Sequence, residues 1–569
     1  MNGNQDMIPV YSGVRDVNKI WYSKTKSRTR KMANIIKEDF LAMDGNFVAG
    51  AEMTSPDSAC LVLASFAVLV LGFGGAAPTT DADYKAHVHT QCGYTRFPRP
   101  CVETLSGLGL GLGSSNQHVD FMIALANKTI SEAQRAPTPT GYCPELMSMS
   151  MKRLRQAQLA LRESPTKNKH DIQTWLSAAL TFQETCKETT DAHAGRSTDL
   201  IMDHLSQLSS NLLALVNRIT SSSGGGGGRR LVDYDQINEE RVELFPRWVS
   251  GRNRRLLQSN SIQADAIVAK DGSGNYGTIS EAIQAASGNR FVIYVKAGVY
   301  KEKIHSNKDG ITLIGDGKYS TIIVGADSHA GGSSLSGSAT FSDGFIARDI
   351  GFQNNAGPQA QQAVALSIAS DHSVLYRCSI AGYQDTLYAL ALRQFYRECD
   401  IYGTIDFIFG NAAAVFQSCQ LVLRRPGHGS YNVILANGRS DPGQSTGFSI
   451  QNCRITVGSD FSPVKNSFNS YLGRPWKEYS RAVVMQTTID DAITPRGWVE
   501  WPGTGSSALR TLYFGEYANV GPGAGTSARV NWPGFHLLAR TEAVQFTVGS
   551  FIAGTSWLPS TGVTFVSGL

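Results

Sequence analysis

Along residues 92–219 apolar positions recur three and four apart, as in VDFMIALANKTISEAQRA (119–136), ELMSMSMKRLRQAQLALRE (145–163), DIQTWLSAALTFQETCKE (171–188) and LIMDHLSQLSSNLLALVNRI (200–219). That is the period of an amphipathic helix. Stretches of this length joined by short polar links predict an all-α four-helix bundle. Five consecutive glycines then interrupt the pattern in a linker at 220–257, disfavouring helix and strand alike. From 258 to 569 the period shortens. β-Branched runs such as FVIYVKAG (291–298), STIIVGAD (320–327), SVLYRCSIAG (373–382) and AAVFQSCQLVL (413–423) alternate with Gly, Asn and Asp. Many short strands between frequent turns predict an all-β fold. Cys378, Cys399 and Cys419 recur at steps of 21 and 20, which favours stacked coils over an antiparallel sandwich. The expected architecture is a right-handed parallel β-helix preceded by the helical bundle.

One uncharged apolar run, ACLVLASFAVLVLGFGGAA (59–77), follows a basic flank carrying Lys24, Lys26, Arg28, Arg30, Lys31 and Lys37. Its length approaches a bilayer span, so it reads as a signal anchor or signal-peptide core, with 1–58 cytoplasmic and the rest lumenal. Nine cysteines, one of them Cys60 inside that run, suit an oxidising, secretory compartment. The basic pair Arg254-Arg255, in RNRRLL (252–257), lies in the linker where a processing protease would find it exposed. Asn127-Lys128-Thr129 is a glycosylation sequon. A net charge of +5 is mild and the basic runs are short, which argues against nucleic acid and fits an acidic polymer such as a polyuronate.

The chemistry concentrates in GYQDTLY (382–388) and GTIDFIFG (403–410), whose Asp385 and Asp406 repeat at the same step of 21 as the neighbouring cysteines. On adjacent rungs two carboxylates would lie about 5 Å apart. Burial and like charge would separate their pKa values, leaving one protonated and the other ionised. The bland alternative is a pair of turn-capping aspartates. Arg474, in LGRPWKEYSR (472–481), could hold Asp406 or a substrate carboxylate bidentately. Gln362 and Gln384 are neutral donors suited to a developing oxyanion. No CxxC pair or HExxH motif points to a metal.

The segments GFIARDIGFQN, QAVAL, YRCSIAGYQDTLY, GTIDFIFGNAAAVFQ, YLGRPWKEYSR and FIAGTSWL resemble plant pectinesterases that carry an inhibitor-like pro-region. CGYTRFPRPC (92–101) and TWLSAALTFQETC (174–186) resemble that pro-region, and RRLL (254–257) its processing motif. The resemblance implies hydrolysis of methyl esters of homogalacturonan in the cell wall, without cofactor or metal. It makes Asp406 the nucleophile, Asp385 the proton donor, Arg474 the group holding Asp406, and Gln362 and Gln384 the oxyanion donors. Gln362 and Arg474 would also contact substrate, with Trp476, Tyr388, Phe409 and Trp498 against the sugar chain. It implies disulfides Cys92–Cys101 and Cys143–Cys186, and further bridges Cys378–Cys399 and Cys419–Cys453. The helical region would contact the β-helix and restrain it before processing. Two departures stand out: a short SGSATFSDGFIARD (336–349) and Gln361 at a position where the family usually has His. A glycosidase or lyase on the same fold, and a wall-binding protein without activity, are the alternative readings.

Overall fold

The computed structural model describes residues 81–106, 117–136, 142–189, 196–220, 263–330, 337, 339–427, 429–503 and 505–569. The apolar run 59–77, the Gly-rich linker and Arg254-Arg255 lie outside them. Among the described residues no helix is long and apolar enough to cross a membrane.

Among the described residues six helices form the N-terminal part: α1 (Asp81–Cys92), α2 (Pro98–Ser106), α3 (Gln117–Arg135), α4 (Cys143–Glu163), α5 (Lys169–Thr189) and α6 (Arg196–Asn217). The four long ones bury their apolar stripes against each other, through Phe121, Leu125, Leu154, Leu161, Leu176, Leu208 and Leu212. A short hairpin, α1 and α2, precedes them. Its first helix begins before Cys92 and puts Tyr84 and Val88 into the same core. Cys92–Cys101 closes that hairpin, and Cys143–Cys186 ties the start of α4 to the end of α5, both pairings as the resemblance implied. Asn127 of the sequon is exposed on α3.

From Ala266 onward the chain winds into a right-handed parallel β-helix of three sheets, with eleven, eight and seven strands among the described residues. All pairings between the named strands are parallel and in register, so each residue type stacks on its counterpart one coil away. In the eleven-stranded sheet one inward row runs Ile293, Leu313, Ala347, Leu375, Tyr396, Phe416, Ile450 and Val484. In the eight-stranded sheet the matching row is Tyr300, Ile323, Phe352, Ile380, Ile401, Leu421, Ile455 and Ile489. Every member of both rows is buried. This core draws only on residues from Ala266 to Trp532. The coil containing the short 336–349 segment keeps register with its neighbours, Ile304 on Ala339 and Thr340 on Ser367.

The chain turns between the eleven- and eight-stranded sheets on one left-handed residue per coil: Asp349, Arg377, Glu398, Ser418, Asn452 and Gln486, with φ between 51° and 56°. The residue after each points inward, which stacks Cys378, Cys399, Cys419 and Cys453. These four are free and buried, not bridged as Cys378–Cys399 and Cys419–Cys453. The reason is geometric. In-register parallel strands are about 4.8 Å apart and keep their Cβ vectors parallel, whereas a disulfide needs Cβ atoms about 3.8 Å apart and turned toward each other. Instead the thiols donate to the preceding coil, Cys399 to Leu375 O at 3.3 Å and Cys453 to Phe416 O at 3.3 Å. Burial pushes the Cys378, Cys399 and Cys419 thiols well up. They are expected to resist a thiol reagent in the native protein and to react in denaturant without reductant. Mass spectrometry after alkylation checks this, and modification of these positions only after reduction would restore the bridges.

Candidate active site

Asp385 and Asp406 sit in the turns that lead from the eight-stranded into the seven-stranded sheet. Leu387 pairs with Ile408, which puts the two aspartates at equivalent places on adjacent coils, about 5 Å apart by strand spacing. Both adopt left-handed backbone, φ 59° and 50°, a conformation Asp tolerates better than most residues. The Asp385 N–H donates to Ile405 O at 2.9 Å, fastening one turn to the next. Gly403 is required here, because a Cβ would lie 2.1 Å from Phe407 Cβ.

Arg474 arrives from two coils further on: Phe409 pairs with Ala436, and Ala436 with Arg474. Its Nε donates to Asp406 Oδ1 at 2.9 Å and its Nη2 to Oδ2 at 2.5 Å, a bidentate clamp. Nη1 donates to the Tyr431 hydroxyl at 2.8 Å, and the guanidinium lies 4.1 Å from the Trp501 ring centre. The Gln362 side chain acts on Asp385 in the direction that lowers its pKa, against burial and the charge of Asp406. Gln384 is half-buried, and its carbonyl accepts the Ala363 N–H at 3.2 Å, so the two glutamine segments are tied together.

Both carboxylates are buried. Desolvation and the charge of Asp406 push Asp385 well above the usual carboxylate range. Burial raises Asp406 too, but the Arg474 hydrogen bonds and charge oppose it. The pair therefore holds its shared proton on Asp385 and its negative charge on Asp406.

An aromatic wall runs beside the pair. Tyr388 stacks on Phe409 at 4.3 Å, Phe409 meets Trp476 at 6.1 Å, and Trp476 meets Trp501 at 6.5 Å. Trp498 is not part of it. That indole is fully buried, stacked on Phe514, and donates to Glu516 Oε1 at 3.0 Å. Gly473 makes the inward pose possible, since a Cβ there would come within 3.0 Å of Trp498 Cζ3. Trp501 and Tyr431 were missed from the sequence. The only hint was a second Trp in WVEWPG (498–503), and nothing in it says which indole faces out.

The helices cover this wall. Leu146, Met147, Phe182, Met202 and Leu205 form one apolar cluster with Tyr388, Leu390, Phe409 and Ala436, and Trp476 packs against it. Polar contacts ring the cluster. Arg153 of α4, almost fully buried, donates to Asp343 at 2.6 and 2.8 Å. Arg393 bridges Asp371 at 2.7 Å and Asp171 of α5 at 2.6 Å, and Trp175 Nε1 donates to Asp371 at 3.1 Å. Asn411 donates to Thr181 at 2.9 Å, and Ser440 to Glu184, whose carboxyl burial pushes up to about 7.

Residues 265–555 match the pectinesterase family model, and residues 86–215 match the model of the plant invertase/pectin methylesterase inhibitor. The chain belongs to the pectinesterase family. A probable pectinesterase/pectinesterase inhibitor of Arabidopsis thaliana, number 54, is 47% identical over 82% of this chain and 90% of its own length. Pectinesterase 2 of Citrus sinensis is 45% identical over 85% of this chain and 95% of its own. Among solved structures, the pectin methylesterase of carrot is 51% identical, with a TM-score of 0.53, and is matched over 100% of its length by 55% of this chain. The carrot chain thus spans about the share of this chain that the β-helix takes up, in keeping with a β-helix core cluster that includes no residue of the helices.

Proposed function

We propose that this pectinesterase hydrolyses the methyl esters of homogalacturonan to free carboxylates and methanol, with Asp406 as nucleophile. The observation that carries the reading is the charge division between the two aspartates: Asp406 clamped by Arg474, Asp385 beside it without a cation at hydrogen-bond distance among the described residues. Asp406 attacks the ester carbonyl carbon, and the carbonyl oxygen takes up the negative charge. Gln362 and Gln384 donate to that oxygen. Asp385 gives its proton to the departing methanol, then takes one from the water that cleaves the acyl-enzyme. Tyr388, Phe409, Trp476 and Trp501 supply flat apolar faces for the sugar rings.

Arg474→Lys is expected to lower the turnover number by about 10²-fold or more, because a point charge cannot keep both Asp406 oxygens engaged. Initial methanol release from saturating pectin, with circular dichroism as the folding control, measures it. Near-normal turnover in the folded variant would remove Arg474 from the mechanism.

The helical region is proposed to restrain the enzyme by covering the aromatic wall. Release would follow cutting at Arg254-Arg255 on the secretory route to the cell wall. The cluster joining α4, α5 and α6 to Tyr388 and Phe409 supports this reading.

A further inference from the structure

The row of the seven-stranded sheet that carries Tyr388 extends well past the catalytic coils. Its register continues through Ser367 and Thr340 to His305. His305 is therefore three coils from Tyr388, about 14 Å at the spacing of neighbouring strands. A cavity of about 360 Å³ follows this row, lined by Tyr388, Ser367, Thr340 and His305 on its floor, with Lys303 and Glu145 at its far end. It prolongs the groove away from Asp385 and Asp406. Its character also changes along the way, from aromatic, through two hydroxyl side chains, to cationic.

The His305 ring is half-exposed and held from one side: Nδ1 lies 2.7 Å from Thr340 Oγ1. The other nitrogen, Nε2, faces Glu145 Oε1 at 3.2 Å. Glu145 belongs to α4, one of the covering helices, so a carboxylate already sits on this imidazole in the covered state. That carboxylate raises the His305 pKa, against partial burial and the charge of Lys303. The Lys303 ammonium itself pairs with Asp327 at 2.5 Å, which leaves His305 as the main anion-binding group.

We propose that His305, supported by Lys303, is a carboxylate subsite of the pectin groove: it binds an already de-esterified galacturonate a few sugars from the ester under attack, and Glu145 occupies it while the helices are docked. This rests on the pectinesterase reading. A methyl ester carries no charge and accepts only weakly, whereas a free carboxylate makes a charge-assisted hydrogen bond to an imidazolium. The group the enzyme creates is thus the group this subsite prefers. A chain with one free carboxylate binds better than an untouched one, and cleavage is directed to a fixed distance from earlier products.

The test uses residues 258–569, whose core is self-contained, and two pectins, one almost fully methyl-esterified and one half de-esterified. The expected KM is about three- to tenfold lower for the half de-esterified pectin, the range for a charged hydrogen bond at a half-exposed site. His305→Gln should bring the ratio of the two KM values close to one, with the loss in KM rather than kcat. His305→Lys should retain the ratio. In the parent protein the ratio should be present at acidic pH and fade as pH rises through the imidazole titration. In His305→Lys it should persist, since the introduced ammonium keeps its charge across that window. A His305→Gln variant with the parent ratio, or a parent ratio of one at acidic pH, overturns the subsite. No methanol from either pectin overturns the esterase reading and the subsite with it.

Discussion

Asp406→Asn is expected to reduce methanol release from methyl-esterified pectin by at least about 10⁴-fold, the scale of losing a nucleophile. The amide keeps the volume of the carboxylate and can still accept from Arg474, but it offers no charged oxygen to the ester carbon. Arg474 retains Tyr431 and Trp501 as neighbours, so the coil should still form. Asp385→Asn should cost about 10²–10⁴-fold, the range for a general acid and base. It removes the proton for methanol while leaving Asp406 clamped. Circular dichroism confirms folding in each case. A folded Asp406→Asn protein with near-parental turnover would shift the weight to the glycosidase or lyase reading, which release of reducing or unsaturated ends would reveal.

The full chain should be at least about 10²-fold less active than residues 258–569. A domain tethered to its partner in the same chain sees it at an effective concentration in the millimolar range. A docking surface of micromolar intrinsic affinity would then be closed about 10³ times more often than open. With the helices docked, Tyr388 and Phe409 are only 4% and 5% exposed, too covered to meet a sugar ring. Asp343→Asn tests the contact without touching the catalytic residues. It leaves Arg153 buried with its charge unpaired, a situation that costs about 3–5 kcal/mol. The full-length variant should recover much of the activity of 258–569. The closure should also respond to pH. Glu184 is pushed up to about 7 in the docked state, mainly by burial, with Glu188 and Asp441 adding to the shift and Ser440 and Lys477 opposing it. A raised carboxyl favours docking while it is protonated, so docking weakens as pH climbs from the ordinary carboxylate range to about 7. Equal rates from the full chain and 258–569 would rule out restraint by the helices.

Legibility from sequence followed repetition. The step of 21 between Asp385 and Asp406 was readable because the coils stack in register, so equal spacing in the chain becomes adjacency in space. Arg474 was readable only through its motif, since two coils separate it from Asp406. The cysteines misled for the same reason that the aspartates informed. Equal steps place Cys378, Cys399, Cys419 and Cys453 side by side, but parallel Cβ vectors keep adjacent thiols from bonding. The period of the chain carried no signal for where the polar side chains of α5 would lie. Ser177 and Thr181 in fact lie buried against Gln444 and Asn411 of the β-helix.

By itself the sequence determined the two architectures and the aspartate pair, while the disulfides of the helical part came from the family resemblance. The architectures and the pair depend on period, composition and spacing, which are local to the chain or repeated along it. Only the tertiary structure decided that Trp501 rather than Trp498 joins the aromatic wall, because a void at Gly473 turns one indole inward. It alone showed how one carboxylate is compensated and the other is not, with both Asp406 oxygens accepting from Arg474. It alone brought Glu145 onto His305 and Arg153 onto Asp343, pairs about 160 and 190 residues apart whose meeting depends on how one folded surface fits another.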